Sequence, residues 1–279
     1  MAKSYQLLDS GGFRKLEAIG PYRIVRPAPQ AIWPISAPKL WQKIDAEFKR
    51  ESGDSGRWIR HNASLPKSFR LNVGDLHLEV YFTDFGHLGI FPEHHDTKAL
   101  ERSIAQAKPY RLLNLFAYTG YVSIKAALMG AEVVHVDSSA KSVGWAKTNA
   151  ELSGAKDKPI RYIVDDVQKF VAKEARRGNK YQAIILDPPS FGRGAKNEVW
   201  KFEDDLPNLL LALKDLMAPD FNFLQLSAHS AGFSPLMLER LVRSLALPEG
   251  EISSYEMGIA EESKATLPTG FAVLYQRTL

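Results

Sequence analysis

Residues 111–137, RLLNLFAYTGYVSIKAALMGAEVVHVD, decide how this chain folds. Residues 111–116 form an apolar run of strand length, residues 117–120 turn tightly, residues 121–128 carry a helical pattern, and residues 132–136 return to a β-branched run that ends on Asp137. Strand, turn, helix and strand within so short a span specify a βαβ unit, whose two strands pair in parallel. The same rhythm continues downstream. Strands are expected at 161–164, 182–186 and 222–226, with helices at 140–153, 167–177 and 202–217, and a further helix at 97–107 precedes the first strand. Alternation of this kind predicts an α/β fold with a doubly wound, mainly parallel sheet covered on both faces. Two late β segments, 252–257 and 271–277, flank the turn signal Leu267-Pro268-Thr269-Gly270 and add a hairpin at one edge.

Upstream the character changes. Gly11-Gly12, Gly20-Pro21, Pro27, Pro29, Pro34, Pro38, Gly53, Gly56 and Pro66 cut the first third into pieces too short for long helices. Only 39–49 has a helical pattern, while 22–26, 58–61, 69–73 and 76–83 are short, alternating or β-branched. The expected organisation is a smaller β-rich domain over residues 1–85 and a Rossmann-like domain over 86–279.

Composition narrows the chemistry. The chain has 279 residues, 45% of them hydrophobic, which supports a sizeable core. It contains no cysteine, so disulfides, thiolate metal sites and thiol nucleophiles are all excluded. No run of about 18 apolar residues is free of charge, and no basic stretch followed by an apolar one opens the chain. A cytoplasmic protein without a membrane partner is therefore expected. The net charge of +4 is unevenly spread: residues 1–85 hold 13 Lys or Arg against 9 Asp or Glu, whereas the remainder holds 23 of each. Trp33, Trp41, Trp58 and Tyr22 mingle there with Arg23, Arg26, Arg57, Arg60 and Arg70. That mixture suits either a packed core with a solvated rim or a face for RNA.

In an open α/β sheet, ligands bind at the carboxyl ends of the strands. After the first strand comes Asn114-Leu115-Phe116-Ala117-Tyr118-Thr119-Gly120, where Gly120 lets the backbone approach a ligand. A G-x-G-x-x-G turn is missing, which disfavours dinucleotide cofactors. Asp137 ends the second strand, 17 residues after Gly120. It suits the two hydroxyls of a ribose or a helix N-cap, the latter open also to Ser138 or Ser139. Asp165 and Asp166 end the third strand, and either can cap the next helix or accept from an adenine amino group; Asp166 is the preferred adenine contact. Asp187-Pro188-Pro189-Ser190-Phe191 follows the fourth strand. Its prolines stiffen a loop beside an acid and an aromatic ring that can stack on a flat substrate, although a plain rigid turn would use similar residues.

These elements resemble the class I S-adenosylmethionine-dependent methyltransferases, with 114–120 as the first cofactor motif and 187–191 as the fourth. The runs 113–120, Val136-Asp137, Val164-Asp165-Asp166-Val167 and 185–191 look like the bacterial 23S ribosomal RNA methyltransferases that modify cytosine C5 or guanine N7. The resemblance covers roughly residues 86–279, and the N-terminal third does not look like the PUA module common in those enzymes. It implies S-adenosylmethionine as cofactor, contacted by Asn114, Phe116, Ala117, Tyr118, Thr119, Gly120, Asp137, Ser138, Asp165, Asp166 and Asp187. It implies RNA, ribosomal RNA foremost, as partner, with Asp187, Pro188, Pro189 and Phe191 facing the acceptor. Gly89-Ile90-Phe91-Pro92-Glu93-His94 stands where that family has a segment closing over cofactor and substrate, which adds His94 to the cofactor contacts.

One departure matters. The C5-methylating members attack with a cysteine after the fifth strand, where this chain has Leu226-Ser227-Ala228-His229-Ser230. Direct in-line transfer to a nitrogen or oxygen is then expected, with the protein mainly aligning the reactants. His94, His95 and His229 are candidates for a general base or a phosphate contact. No metal site is expected, because the neighbours His94 and His95 point apart and no carboxylate-histidine pattern accompanies them. The rival expectations are a methyltransferase of a protein or small molecule, a non-catalytic RNA-binding protein on the same fold and, last, a nicotinamide-dependent oxidoreductase. Oligomeric state is left open.

Overall fold

The computed structural model describes residues 4–52, 55–106, 109–193, 199–230 and 232–277. The chain divides into two compact units, Met1–Glu93 with Gly258–Pro268, and His94–Met257 with Thr269–Leu279. Residues 86–93 thus count with the first unit, as does the tip of the late β segment.

The first unit is built on a five-stranded sheet ordered β1 (Tyr5–Gly11), β2 (Arg14–Ile19), β3 (Tyr22–Pro27), β4 (Ala46–Ser52) and β5 (Ser55–Arg60), and on a separate pair, β6 (Ser68–Val73) with β7 (Leu76–Tyr81). All neighbours are antiparallel except β3 and β4. The helix expected at 39–49 is corrected to one 3-10 turn, Pro38–Gln42, followed by β4. The apolar spacing that suggested a helix instead places Leu40, Trp41 and Ile44 against the buried Leu8, Leu16 and Val25. At Asp45 the chain turns into the sheet: its carboxylate accepts from Arg23 N at 2.7 Å and Asn62 Nδ2 at 2.6 Å, and its own N–H bonds Arg23 O. The hairpin of β1 and β2 had not been anticipated. A register shift between Leu7 and Asp9 leaves five consecutive buried residues in β1, so the two-residue period on which strand prediction depends is lost.

This unit buries an ion pair. Glu17, fully buried, accepts from Arg26 Nε at 2.6 Å, Arg26 Nη2 at 2.7 Å and Tyr5 OH at 2.9 Å, with Lys15 Nζ at 3.3 Å. Burial alone would raise the Glu17 carboxyl, but Arg26 and Lys15 outweigh it and hold it at about 2 against an ordinary 4.5. Because the folded pKa is the lower one, the unfolded chain binds the extra proton, so the stability is complete above 4.5 and drains as pH falls through about 2. Glu17→Gln is expected to cost about 3 kcal/mol at neutral pH by leaving Arg26 buried without its partner. The cost shrinks at acid pH, which denaturant melts at the two pH values measure.

The second unit carries α1 (Lys98–Gln106), β8 (Arg111–Leu115), α2 (Tyr121–Leu128), β9 (Glu132–Asp137), α3 (Ala140–Leu152), β10 (Ile160–Val164), α4 (Val167–Arg176), β11 (Ala183–Leu186), β12 (Phe191–Arg193), β13 (Val199–Lys201), α5 (Phe202–Leu213), β14 (Phe223–Ala228) and α6 (Pro235–Arg243). It ends on β15 (Glu251–Ala260) and β16 (Thr266–Gln276), whose tip belongs to the first unit. The main sheet is ordered β10-β9-β8-β11-β14-β16-β15, parallel from β10 to β14 and antiparallel between β14 and β16. Alternate residues of each strand enter two separate cores. Leu113, Val134, Ile184 and Leu224 face one, while Leu112, Val133, Ala183 and Phe223 face the other. A sheet covered on both faces therefore follows from strands that are apolar throughout.

The ends of the expected strands and helices mostly shift by one or two residues. The helix expected at 202–217 stops at Leu213 and continues as a 3-10 turn, Lys214–Leu216, and α6 had been missed despite Ser234 capping it and Pro235 opening it. Ala107, the expected end of α1, lies outside the described residues. The turn signal at 267–270 is corrected: those residues lie inside β16, and the reversal is made by residues 261–265, with Lys264 at φ 72°. Gly270 answers to packing instead, since a Cβ there would meet Ala228 O at 2.6 Å. Among the described residues, no helix is long and apolar enough to cross a membrane.

Candidate functional site

The chain leaves β8 for β9 and β10 on one side and returns to β11 and β14 on the other, so strand order reverses between β8 and β11. A crevice at the carboxyl ends of such strands is where α/β sheets bind ligands.

The turn after β8 is unusually bent. Phe116, Tyr118 and Gly120 have φ of 55°, 48° and 86°, and left-handed backbone is costly for the first two. Hydrogen bonds hold it: Ala117 N to Val136 O at 3.0 Å, Tyr118 N to Asp137 Oδ2 at 2.9 Å, and Gly120 N to Ala117 O at 3.1 Å. Below it, Asn149 Nδ2 donates to Thr119 O at 2.9 Å, and Asn114 Nδ2 donates to Ser123 Oγ, which meets His135 Nδ1 at 3.0 Å. Burial lowers the His135 imidazole to about 4, so it is neutral at physiological pH. Asn114 is thus a buried support of the turn, whereas Phe116, Ala117 and Tyr118 are only partly covered. At Gly120 a Cβ would lie 2.9 Å from the Ala146 Cβ. Gly120→Ala is expected to lower stability by about 2 kcal/mol through strain and overlap together, which a denaturant melt measures.

Asp137 closes β9. Its Oδ2 accepts from Tyr118 N and its Oδ1 from Ser139 N at 2.8 Å, so one carboxylate joins two successive loops. Burial raises its pKa, partly offset by these donors. The cap of α3 falls to Ser139, which accepts from Ser142 N, while Ser138 is exposed. Asp166 caps α4 through Oδ1, accepting from Lys169 N at 2.9 Å. Asp165 receives Asp166 N and pairs with Lys173 Nζ at 2.6 Å.

Asp187, after β11, is the hub of the site. His94 Nε2 lies 3.2 Å from Oδ2, His229 Nε2 lies 3.3 Å from Oδ1, and Ser227 Oγ donates to Oδ1 at 2.6 Å. Burial would raise this carboxyl, but the facing His94 and His229 hold it well below the usual carboxylate range. His229 Nδ1 also meets Thr269 O at 2.8 Å. A carbonyl only accepts, so Nδ1 bears the hydrogen, and a hydrogen bond from Nε2 to the carboxylate then requires the imidazolium form. The donor atoms of His94, Asp187 and His229 lie within 4.8 Å of one another. His95 does not join them: its ring lies 4.5 Å from that of Tyr121, and burial followed by the neighbouring His94 lowers it to about 4.

The proline loop is tied down on both sides. Trp200 Nε1 donates to Pro189 O at 2.7 Å while its ring sits 5.0 Å from that of Phe116, and Ser230 Oγ donates to Ser190 Oγ. Pro188 is buried, and Phe191 opens β12 with 53% of its surface exposed. Trp200, Ser227 and Thr269 had no assigned place in the sequence-based site. Their partners lie 11, 40 and 40 residues away in the chain, and the one local hint was the polar run after β14.

Comparison with known proteins identifies the family. Residues 87–247 match the family model of S-adenosylmethionine-dependent methyltransferases. The crystal structure of the SAM-dependent methyltransferase from Agrobacterium tumefaciens is similar at 37% identity and a TM-score of 0.93, over 100% of this chain and 92% of that one. A putative SAM-dependent methyltransferase from Streptococcus mutans shares the fold at 15% identity, with a TM-score of 0.73 over 99% of this chain and 75% of that one. Ribosomal RNA large subunit methyltransferase K/L of Pseudoalteromonas atlantica is 31% identical over 195 residues, 69% of this chain and 25% of that protein. The chain therefore spans about a quarter of the length of the curated relatives it matches.

Proposed function

Because this chain belongs to the S-adenosylmethionine-dependent methyltransferases, we propose that the carboxyl edge of its sheet transfers the methyl group to a base nitrogen of ribosomal RNA. The enzyme class and the cofactor follow from the family; the residue roles and the RNA substrate are our assignment. The single observation that carries the roles is the pairing of two differently built acids at that edge, Asp137 tied to the bent turn and Asp187 set between two imidazoles.

The residues fit the cofactor. Gly120 packs closely on Ala146 and lets the turn bend, and the bent turn gives the methionine part of the cofactor a backbone cradle at 116–120. Asp137 is assigned to the ribose, with Ser138 beside it, and Asp166, or Asp165 beside it, to the adenine. When bound, S-adenosylmethionine supplies a sulfonium methyl that an acceptor lone pair displaces in line.

The chain's task is then alignment. Asp187 and the Pro188 carbonyl accept hydrogens from an acceptor amine, which directs its lone pair, and Phe191 stacks on the base. Pro189 O is occupied by Trp200, so it steadies the loop. His94 and His229 keep Asp187 ionised, and the proton released by the methylated nitrogen passes to solvent water. Without cysteine, C5 attack by a thiolate is excluded.

RNA is supported by the relatives named ribosomal RNA large subunit methyltransferase K/L and by the excess of +4 in residues 1–85. A ribosomal RNA substrate goes with the cytoplasmic location expected from the sequence. Phe191→Ala is expected to lower transfer about tenfold, a loss in line with one aromatic-base stack, and to leave cofactor affinity unchanged by calorimetry. Incubation with methyl-labelled cofactor, ribosomal RNA and lysate protein tests the substrate class. Label in RNA supports it, and label confined to protein or to small molecules overturns it.

A further inference from the structure

The methyl donor and its acceptor are assigned to different loops, the turn at 116–120 after β8 and the loop at 187–191 after β11. The two strands run side by side, and their ladder ends at the pair Leu115 and Leu186. Past that pair the loops leave the sheet. In-line transfer is sensitive to how they are then held, since a misplacement of about 1 Å costs about 100-fold in rate.

The acceptor loop is poorly equipped to hold itself. Pro188 and Pro189 carry no N–H, so their backbone can hydrogen-bond only through its carbonyls, and the donors must come from elsewhere. β13 supplies Trp200 Nε1 to Pro189 O at 2.7 Å, and the first residue of α5 supplies Phe202 N to Ser190 O at 3.1 Å. The ring of Pro189 fixes its φ. Once Trp200 sets the Pro189 carbonyl, a single soft torsion therefore separates it from the Pro188 carbonyl, the one assigned to the acceptor amine.

The same tryptophan reaches the cofactor turn. Its ring lies 5.0 Å from that of Phe116, tilted by 59°. Trp200 is 8% exposed and belongs to the core against which the half-buried Phe116 packs. Phe116 is itself at φ 55°, a costly backbone for a residue with a Cβ, which a packed ring helps to hold. A buried indole needs some oxygen to receive its N–H. Here the proline loop provides that oxygen while the ring rests on the cofactor turn, so one side chain spans both loops.

We propose that Trp200 is a positioning residue that fixes the acceptor loop relative to the cofactor turn. It acts through Pro189 O on one side and Phe116 on the other, so cofactor held at 116–120 stiffens 187–191 before the acceptor arrives. The inference rests on the reading of 187–191 as the acceptor loop, but not on RNA as the acceptor.

Trp200→Phe keeps a ring against Phe116 and removes the N–H. At saturating cofactor, single-turnover transfer of labelled methyl to ribosomal RNA is expected to fall about tenfold, as the loss of one hydrogen bond would give, with cofactor affinity unchanged by calorimetry. Phe116→Leu breaks the other end of the link and is expected to cost a similar factor under the same conditions. A link is broken only once, so the double variant is expected to be no slower than the slower single variant. Losses that multiply, or a lower melting temperature with an unchanged rate, overturn the proposal. Hydrogen exchange reads the link without any acceptor. Saturating S-adenosylhomocysteine, the demethylated cofactor, is expected to slow exchange at the amides of 190–192 in the unaltered protein and not in Trp200→Phe. Slowing that persists in the variant, or that never occurs, overturns the link. No transfer to ribosomal RNA, with the exchange result intact, removes the substrate reading alone.

Discussion

Asp137→Ala is expected to weaken S-adenosylmethionine binding by about 100-fold. The carboxylate accepts from Tyr118 N and Ser139 N, and its assigned ligands are the two ribose hydroxyls. A hydrogen bond to a charged group contributes about 1.5 to 3 kcal/mol, so losing the ribose contacts alone removes about 3 kcal/mol, which is two powers of ten. Releasing Tyr118 also relaxes a turn whose left-handed Phe116 and Tyr118 need external support. Titration calorimetry on the variant reads the loss, and unchanged affinity contradicts the assignment of Asp137 to the ribose.

Asp187→Ala is expected to act on the other half of the reaction, lowering turnover by about 1,000-fold while cofactor affinity falls no more than about tenfold. Removing one preorganised group aimed at the reacting centre costs about 100- to 1,000-fold in comparable sites. Here the same change also leaves His94, His229 and Ser227 without the acceptor they share. Asp187→Asn separates geometry from charge. It keeps an oxygen for Ser227 but places amide hydrogens toward an imidazole nitrogen, so an intermediate turnover is expected. Single-turnover transfer of labelled methyl measures both variants, and a loss expressed only as weaker cofactor binding would move Asp187 out of the acceptor role.

The Rossmann-like sheet was legible because its signals are local. The parallel strands are short runs rich in apolar residues, β9, β10 and β11 each meet an acid at their carboxyl end, and helical patterns separate them, so the order of elements implied the crevice. The positions of Asp137 and Asp187 at strand ends followed in the same way. What the sequence concealed depends on distant pairing. That His229 is bound through Thr269 needs β14 beside β16, in the register that pairs Ala228 with Phe271, and that Ser227 reaches Asp187 needs β14 beside β11, in the register that pairs Leu226 with Leu186. The choice between Asp137 and Ser139 as helix cap required geometry too, since both residue types cap well. The first unit was harder for a different reason. Its β1 is bulged and buried along most of its length, its β4 follows an apolar spacing that imitates a helix, and its central charges, Glu17 and Arg26, read as surface residues until their pairing is seen.

The most direct measurement is the identity of the methylated nucleoside. Ribosomal RNA that lacks the modification is incubated with the protein and methyl-labelled S-adenosylmethionine, digested to nucleosides and analysed by mass spectrometry. Labelled methylguanine or methyladenine, with the methyl on nitrogen and lost in Asp187→Ala, is the predicted result. Label on a pyrimidine carbon, or none on RNA while calorimetry shows intact cofactor binding, would contradict nitrogen methylation of ribosomal RNA.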